Sequence, residues 1–137
     1  MKHLIHALAA AVFISGLPLV TLQGQAPEKA AEQKPDPKRV KELMRRKLDH
    51  SQKLLEALAL ANLDTVAKHG EDLLRIAKEA EWKALNTKQY EMWSDDFRQS
   101  TAALVKAAKD KNLEGARLNY LGMTMGCFNC HSYVREQ

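Results

Sequence analysis

No proline follows Pro37, and apolar residues beyond it recur at steps of three and four. That combination constrains the fold more than any other feature of this 137-residue chain. Proline in a helix interior removes a backbone donor and clashes with the preceding turn. The long stretch without one is therefore free to be helical. Glycine is scarce, with six in the chain, and no segment shows the two-residue alternation of a strand. The expectation is an all-α fold from about residue 38 onward. Asp36 then Pro37 reads as an N-cap followed by proline in the first helical turn. Residues 27–37 contain three prolines and several charges, and read as a flexible tether.

Four helices are expected. The first spans about 38–61, with Val40, Met44, Leu48, Leu55 and Leu58 on its stripe and Leu43 and Leu54 beside them. Asn62-Leu63-Asp64 breaks it and can cap the second, which runs to about residue 80 with Val66, Leu73, Ile76 and Ala77 inward. A connection around 82–87 leads to the third helix, to about 109, carrying Tyr90, Trp93, Phe97, Thr101, Leu104 and Ala108. Asp110-Lys111-Asn112 is the next break. In the fourth helix Leu113, Ala116, Tyr120, Met123, Cys127, Cys130 and Val134 alternate steps of three and four, the seam pattern of a packed bundle. Short breaks between four amphipathic helices predict an antiparallel up-down-up-down bundle over residues 38–137.

Residues 1–26 read as an export signal. Lys2 and His3 make a short polar start, positions 4–20 are mostly apolar, and Gly24-Gln25-Ala26 offers a cleavage point after Ala26. The apolar run is short and interrupted for a membrane span. The expected location is periplasmic or otherwise exported, without stable membrane insertion after cleavage; an uncleaved anchor is the competing reading. Losing Lys2 lowers the formal net charge from +4 to +3. So modest a balance speaks against a nucleic-acid partner.

Both cysteines of the chain lie in Cys127-Phe128-Asn129-Cys130-His131. C-x-x-C-H is the attachment signature of c-type haem. Positions three and four apart share a helix face, so both sulfurs can reach one macrocycle edge and form thioethers. His131 can then turn toward the iron as an axial ligand. The expected cofactor is one covalent haem c per chain. A redox dithiol usually opens a helix behind a strand, and a structural zinc site needs more ligands. Those two readings and a plain disulfide are the alternatives.

A four-helix pattern ending in this motif resembles the cytochrome c′ family, exported bundles with the haem motif near the C-terminal end. The family continues the motif with an aromatic residue three after the histidine and a basic one four after it. Arg135 matches the basic position. Val134 stands at the aromatic one, and Tyr133 comes one residue early, which marks a divergent branch. The resemblance implies that Arg135 lies on the proximal side of the haem, and that the first helix passes over the distal face with Met44 near the distal position. It also implies homodimerisation as an option.

Thioether sulfur is a good haem ligand, and His/Met ligation raises the reduction potential. Met44 as distal ligand would suit the iron to electron transfer with a redox partner protein. An open distal side would instead suit NO or CO. A haem-free helical module with a disulfide or metal at the cysteine pair is the third class. His50 rivals Met44 but sits about 120° away at the edge of the stripe, and His69 reads as a surface residue. The run Arg45-Arg46-Lys47 reads as a solvated face, with a haem propionate or redox partner as the alternative. Gly122 and Gly126, just before the motif, suggest close approach of a macrocycle or a facing helix. No nucleophile–base or paired-carboxylate constellation points to an enzyme.

Overall fold

The structure, a computed structural model, describes residues 36–79 and 85–137. The expected export signal at 1–26 and nearly all of the tether at 27–37 lie outside them. The described residues form four α-helices: α1 (Pro37–Ala59), α2 (Leu63–Glu79), α3 (Lys88–Lys109) and α4 (Leu113–Arg135). They pack as an antiparallel up-down-up-down bundle, as expected. None is long and apolar enough to cross a membrane.

Local chemistry sets the ends. The Asp36 carboxylate accepts from the Lys38 N–H at 3.0 Å, with Pro37 in the first turn of α1. Thr87 Oγ1 accepts from the Tyr90 N–H and so starts α3. The α1–α2 and α3–α4 turns are built alike. Ala61 and Lys111 take left-handed backbone angles, φ 54° and 57°. The Asn62 N–H reaches back to the Ala57 carbonyl at 2.8 Å, and the Asn112 N–H to that of Ala107 at 2.9 Å. Each turn is a Schellman closure. Each asparagine then caps the next helix, accepting from the N–H of Thr65 or Gly115. Ion pairs Lys111–Asp64 at 2.5 Å and Lys109–Glu71 at 2.6 Å cross between the two hairpins.

The core runs inward from these turns. Leu54, Val66, Leu73, Ile76, Leu104 and Met123 are fully buried. Buried Thr101 is satisfied within α3, its hydroxyl donating to the Phe97 carbonyl at 2.6 Å. Burying each large aliphatic chain contributes roughly 1.5–3 kcal/mol relative to exposure. At Gly70 a side-chain carbon would fall 2.5 Å from Val105 Cγ2, so α2 and α3 meet there without one.

The helices touch in chain order, α1 on α2, α2 on α3 and most extensively α3 on α4, whereas α1 and α4 meet far less. The ring is thus nearly open between its first and last members. A hydrogen bond from the Tyr120 hydroxyl to the Ser51 carbonyl, 3.2 Å, joins them midway.

The inward row of α1 departs from the expected stripe. Leu48 and Leu55 are 59% and 56% exposed. The row that faces the bundle is Leu43, Lys47, His50, Leu54 and Leu58, in steps of four, three, four and four. Its second and third members are polar, which hid the row from an apolar-only reading. Val134, expected on the α4 seam, is 41% exposed because the seam ends near the last turn.

Candidate functional site

Beyond the Tyr120–Ser51 contact, toward the N-terminus of α1 and the C-terminus of α4, a cleft of ≈ 380 Å³ opens. Met44, Arg45, Lys47, Leu48 and Ser51 of α1 form one wall, and Gly126, Cys127, Cys130 and His131 of α4 the other. Tyr90, Trp93, Ser94, Phe97 and Arg98 of α3, with Ala77 of α2, supply the rest of the lining. The volume lies within the range of cofactor pockets.

α4 presents the motif because its seam continues to the cysteines. Ala116 and Met123 are buried against the core, and Cys127 and Cys130 follow on the same face, half-buried. Gly126 faces the α3 backbone at Phe97, where a side-chain carbon would make ordinary van der Waals contact. A carbon added there would lie 3.5 Å from Phe97 Cα. Of the two glycines expected to mark close approach, Gly126 thus meets a facing helix and is buried, while Gly122 is exposed. Tyr133 anchors the end of α4, its hydroxyl donating to Thr87 Oγ1 at 3.0 Å. An aromatic residue one place early therefore serves the contact between α4 and the start of α3.

Both cysteines are free thiols. Burial pushes both pKa values up, against the opposing pull of Lys47. Such thiols are poorly ionised at neutral pH, unlike the activated cysteine of an exchange dithiol. Lys47 shares the cleft with them. Its ammonium lies 4.6 Å from the centroid of Phe97. Burial lowers its pKa, and the two cysteines oppose that. The expected basic run on α1 therefore divides. Arg46 leaves for Glu79 in a bidentate pair, 2.8 and 3.4 Å, while Arg45 and Lys47 line the cleft.

The residues expected to act together are brought together: Cys127, Cys130, His131 and Met44 all line this one cleft. Arg135 is not in its lining. It is exposed, and its Nη2 donates to Ser132 Oγ one turn back at 3.2 Å. Lys47, like Arg45, is a cleft residue that sequence reasoning left in a solvated run. The signal for it was its four-residue spacing from Leu43, which puts it on the buried row.

The lining fits a c-type haem by its donor set. Two thiols and an imidazole stand on one wall and a thioether on the other, the aromatic surfaces are apolar, and Arg45 and Arg98 add cations.

His50, expected at the boundary, is partly buried. His69, expected at the surface, is only 15% exposed in its side chain. The two rings face each other, Nδ1 to Nδ1 at 3.0 Å, and neither lines the cleft.

No family model matches the chain, and neither a curated protein nor a solved structure matches it at a significant level.

Proposed function

We propose that this chain is an exported c-type cytochrome that carries one covalent haem and transfers electrons to a protein partner. The observation that carries this reading is the convergence of Cys127, Cys130, His131 and Met44 on one cleft. Haem held there would supply one-electron chemistry at its iron. Cys127 and Cys130 would hold it through thioether sulfur, and His131 would offer a ring nitrogen. Met44 would offer its sulfur from the opposite wall. Trp93, Phe97 and Leu48 give the cleft apolar lining, which would limit what must reorganise when charge changes at a haem held there. Lys47, part-buried beside the cysteines, would lie near the thioether edge of a haem held there.

The test is expression of the full chain with a haem-attachment system, followed by denaturing electrophoresis stained for haem and by absorption spectra. Haem that survives denaturation, with a six-coordinate low-spin spectrum that resists CO and is lost in Met44→Ala, is the expected result. A low-spin spectrum that survives Met44→Ala but not Lys47→Ala would move the distal ligand to the lysine amine. A high-spin spectrum with rapid CO uptake would replace electron transfer with NO or CO binding at an open iron, a reading that the apolar aromatic lining also suits. A chain that retains no haem would defeat both and leave a helical module whose thiols pair or bind metal.

A further inference from the structure

A second cluster of chemistry-bearing side chains lies between α1 and α2. His50 comes from α1, and His69 and Asp72 lie three apart on α2, a spacing that puts both on one helix face. The Nδ1 atoms of the two histidines are 3.0 Å apart. Asp72 Oδ2 lies 3.6 Å from the first and 3.9 Å from the second. The three side chains are 18%, 15% and 23% exposed, so the cluster is shielded but reachable from solvent.

Three lone-pair atoms thus converge on one spot. Two neutral imidazoles facing through Nδ1 can share only one proton between them. The other nitrogen and the carboxylate are acceptors aimed at the same place. The carboxylate is held from behind: Arg75 pairs with its Oδ1, which leaves Oδ2 to the histidines. A fixed outer partner of this kind is what orients a metal-ligating carboxylate. A nearby ammonium, Lys53, is engaged by Asp49 at 2.7 Å.

We propose that His50, His69 and Asp72 bind one divalent transition-metal ion of the zinc type, at a site separate from the cleft that faces the cysteines. The donor set fits. Two imidazoles and one carboxylate, with a position left for water, is a recurring three-ligand arrangement for such ions. The distances fit with small adjustments. Metal–ligand bonds of about 2.0–2.1 Å at tetrahedral angles place donor atoms roughly 3.3 Å apart. The histidine nitrogens would separate by a few tenths of an ångström and Asp72 Oδ2 would close by about as much. The ion takes the place of the shared proton and ties α1 to α2 across the seam. This proposal does not rest on the haem reading.

The test is zinc titration of the full chain as purified, by calorimetry and by metal content after dialysis. One zinc per chain is expected, together with a rise in the unfolding midpoint at saturating zinc. His69→Ala and His50→Ala should each weaken binding at least ~100-fold, beyond the 10–100-fold typical of losing an outer partner. Asp72→Asn should weaken it less. Alkylating any free thiols beforehand should change nothing. Absence of zinc binding to the unaltered chain would overturn the proposal. So would binding that survives in both folded histidine variants, or binding that alkylation abolishes, which would assign the ion to Cys127 and Cys130.

Discussion

The two ends of the bundle are built on different terms. At the end that holds the turns, two Schellman closures, two asparagine caps and the cross-hairpin ion pairs surround fully buried aliphatic side chains. At the other end α1 and α4 stand apart, and the space between them is walled by aromatics, cations, thiols and a histidine. One end is closed by its own side chains. The other leaves a lined gap. Exposed Leu48 on the cleft wall and buried Leu104 in the core are the same residue type under opposite conditions. The difference teaches that the closed end carries the stability that the open end forgoes.

Substitutions at the two ends sharpen that contrast. Leu104→Ala removes a fully buried side chain and should cost about 2–5 kcal/mol in denaturant unfolding. Leu48→Ala should cost under ~0.5 kcal/mol in the chain without haem, because that side chain is mostly exposed. A larger cost once haem is attached is expected, since the cofactor would then bury it. Equal costs with and without haem would break the assignment of the cleft.

Gly70→Ala tests how tightly the closed part of the bundle is packed. A β-branched valine at 105 cannot swing its methyl away freely, so overpacking of about 1–3 kcal/mol is expected, less the ~1 kcal/mol that alanine returns to the helix. A stabilised variant in thermal unfolding would show that α2 and α3 approach less closely than described.

The cleft has a pH signature of its own. Burial holds the Lys47 pKa below its ordinary 10.5. The folded chain therefore binds fewer protons than the unfolded chain between the two values, and stability rises with pH across that window. At neutral pH, below it, the buried ammonium is a cost. In a Cys127→Ala/Cys130→Ala background, which has neither thiol nor haem, Lys47→Met should raise stability near pH 7 and flatten this alkaline rise. Parallel pH profiles with and without the substitution would remove Lys47 from the buried row. The smallest effect belongs to the closed end. Ala61→Gly relieves a left-handed residue and should add about 0.5–1 kcal/mol in denaturant unfolding, the strain outweighing the extra freedom of glycine.

Much of the fold was legible beforehand. Helix number and the ends at Pro37, Asn62 and Asn112 follow from local chemistry, in which each cap and break depends on residues a few places away. The α3 row from Tyr90 to Ala108 was legible because it is almost wholly apolar. The α1 row was not. Lys47 and His50 interrupt it, and a reading that counts apolar residues slides to the neighbouring line through Met44, Leu48 and Leu55. Those interruptions are where a local rule gives way to a site: Lys47 faces the cleft and His50 faces His69. The similarity of the two turns was also hidden, since Ala61 and Lys111 share a backbone conformation but not a side chain.

By itself the sequence determined four helices, their order, and the two cysteines of a C-x-x-C-H motif on the seam of the last. These are short-range matters, set by hydrogen bonds and side-chain periodicity within each segment. Only the tertiary structure decided that α1 and α4 part beyond Ser51, that Met44 and Lys47 face the motif across the gap, and that His69 and Asp72 meet His50. Those outcomes depend on how far apart packed helices stand, and that distance is set by contacts between elements, such as Gly70 of α2 against Val105 of α3, out of reach of any local pattern.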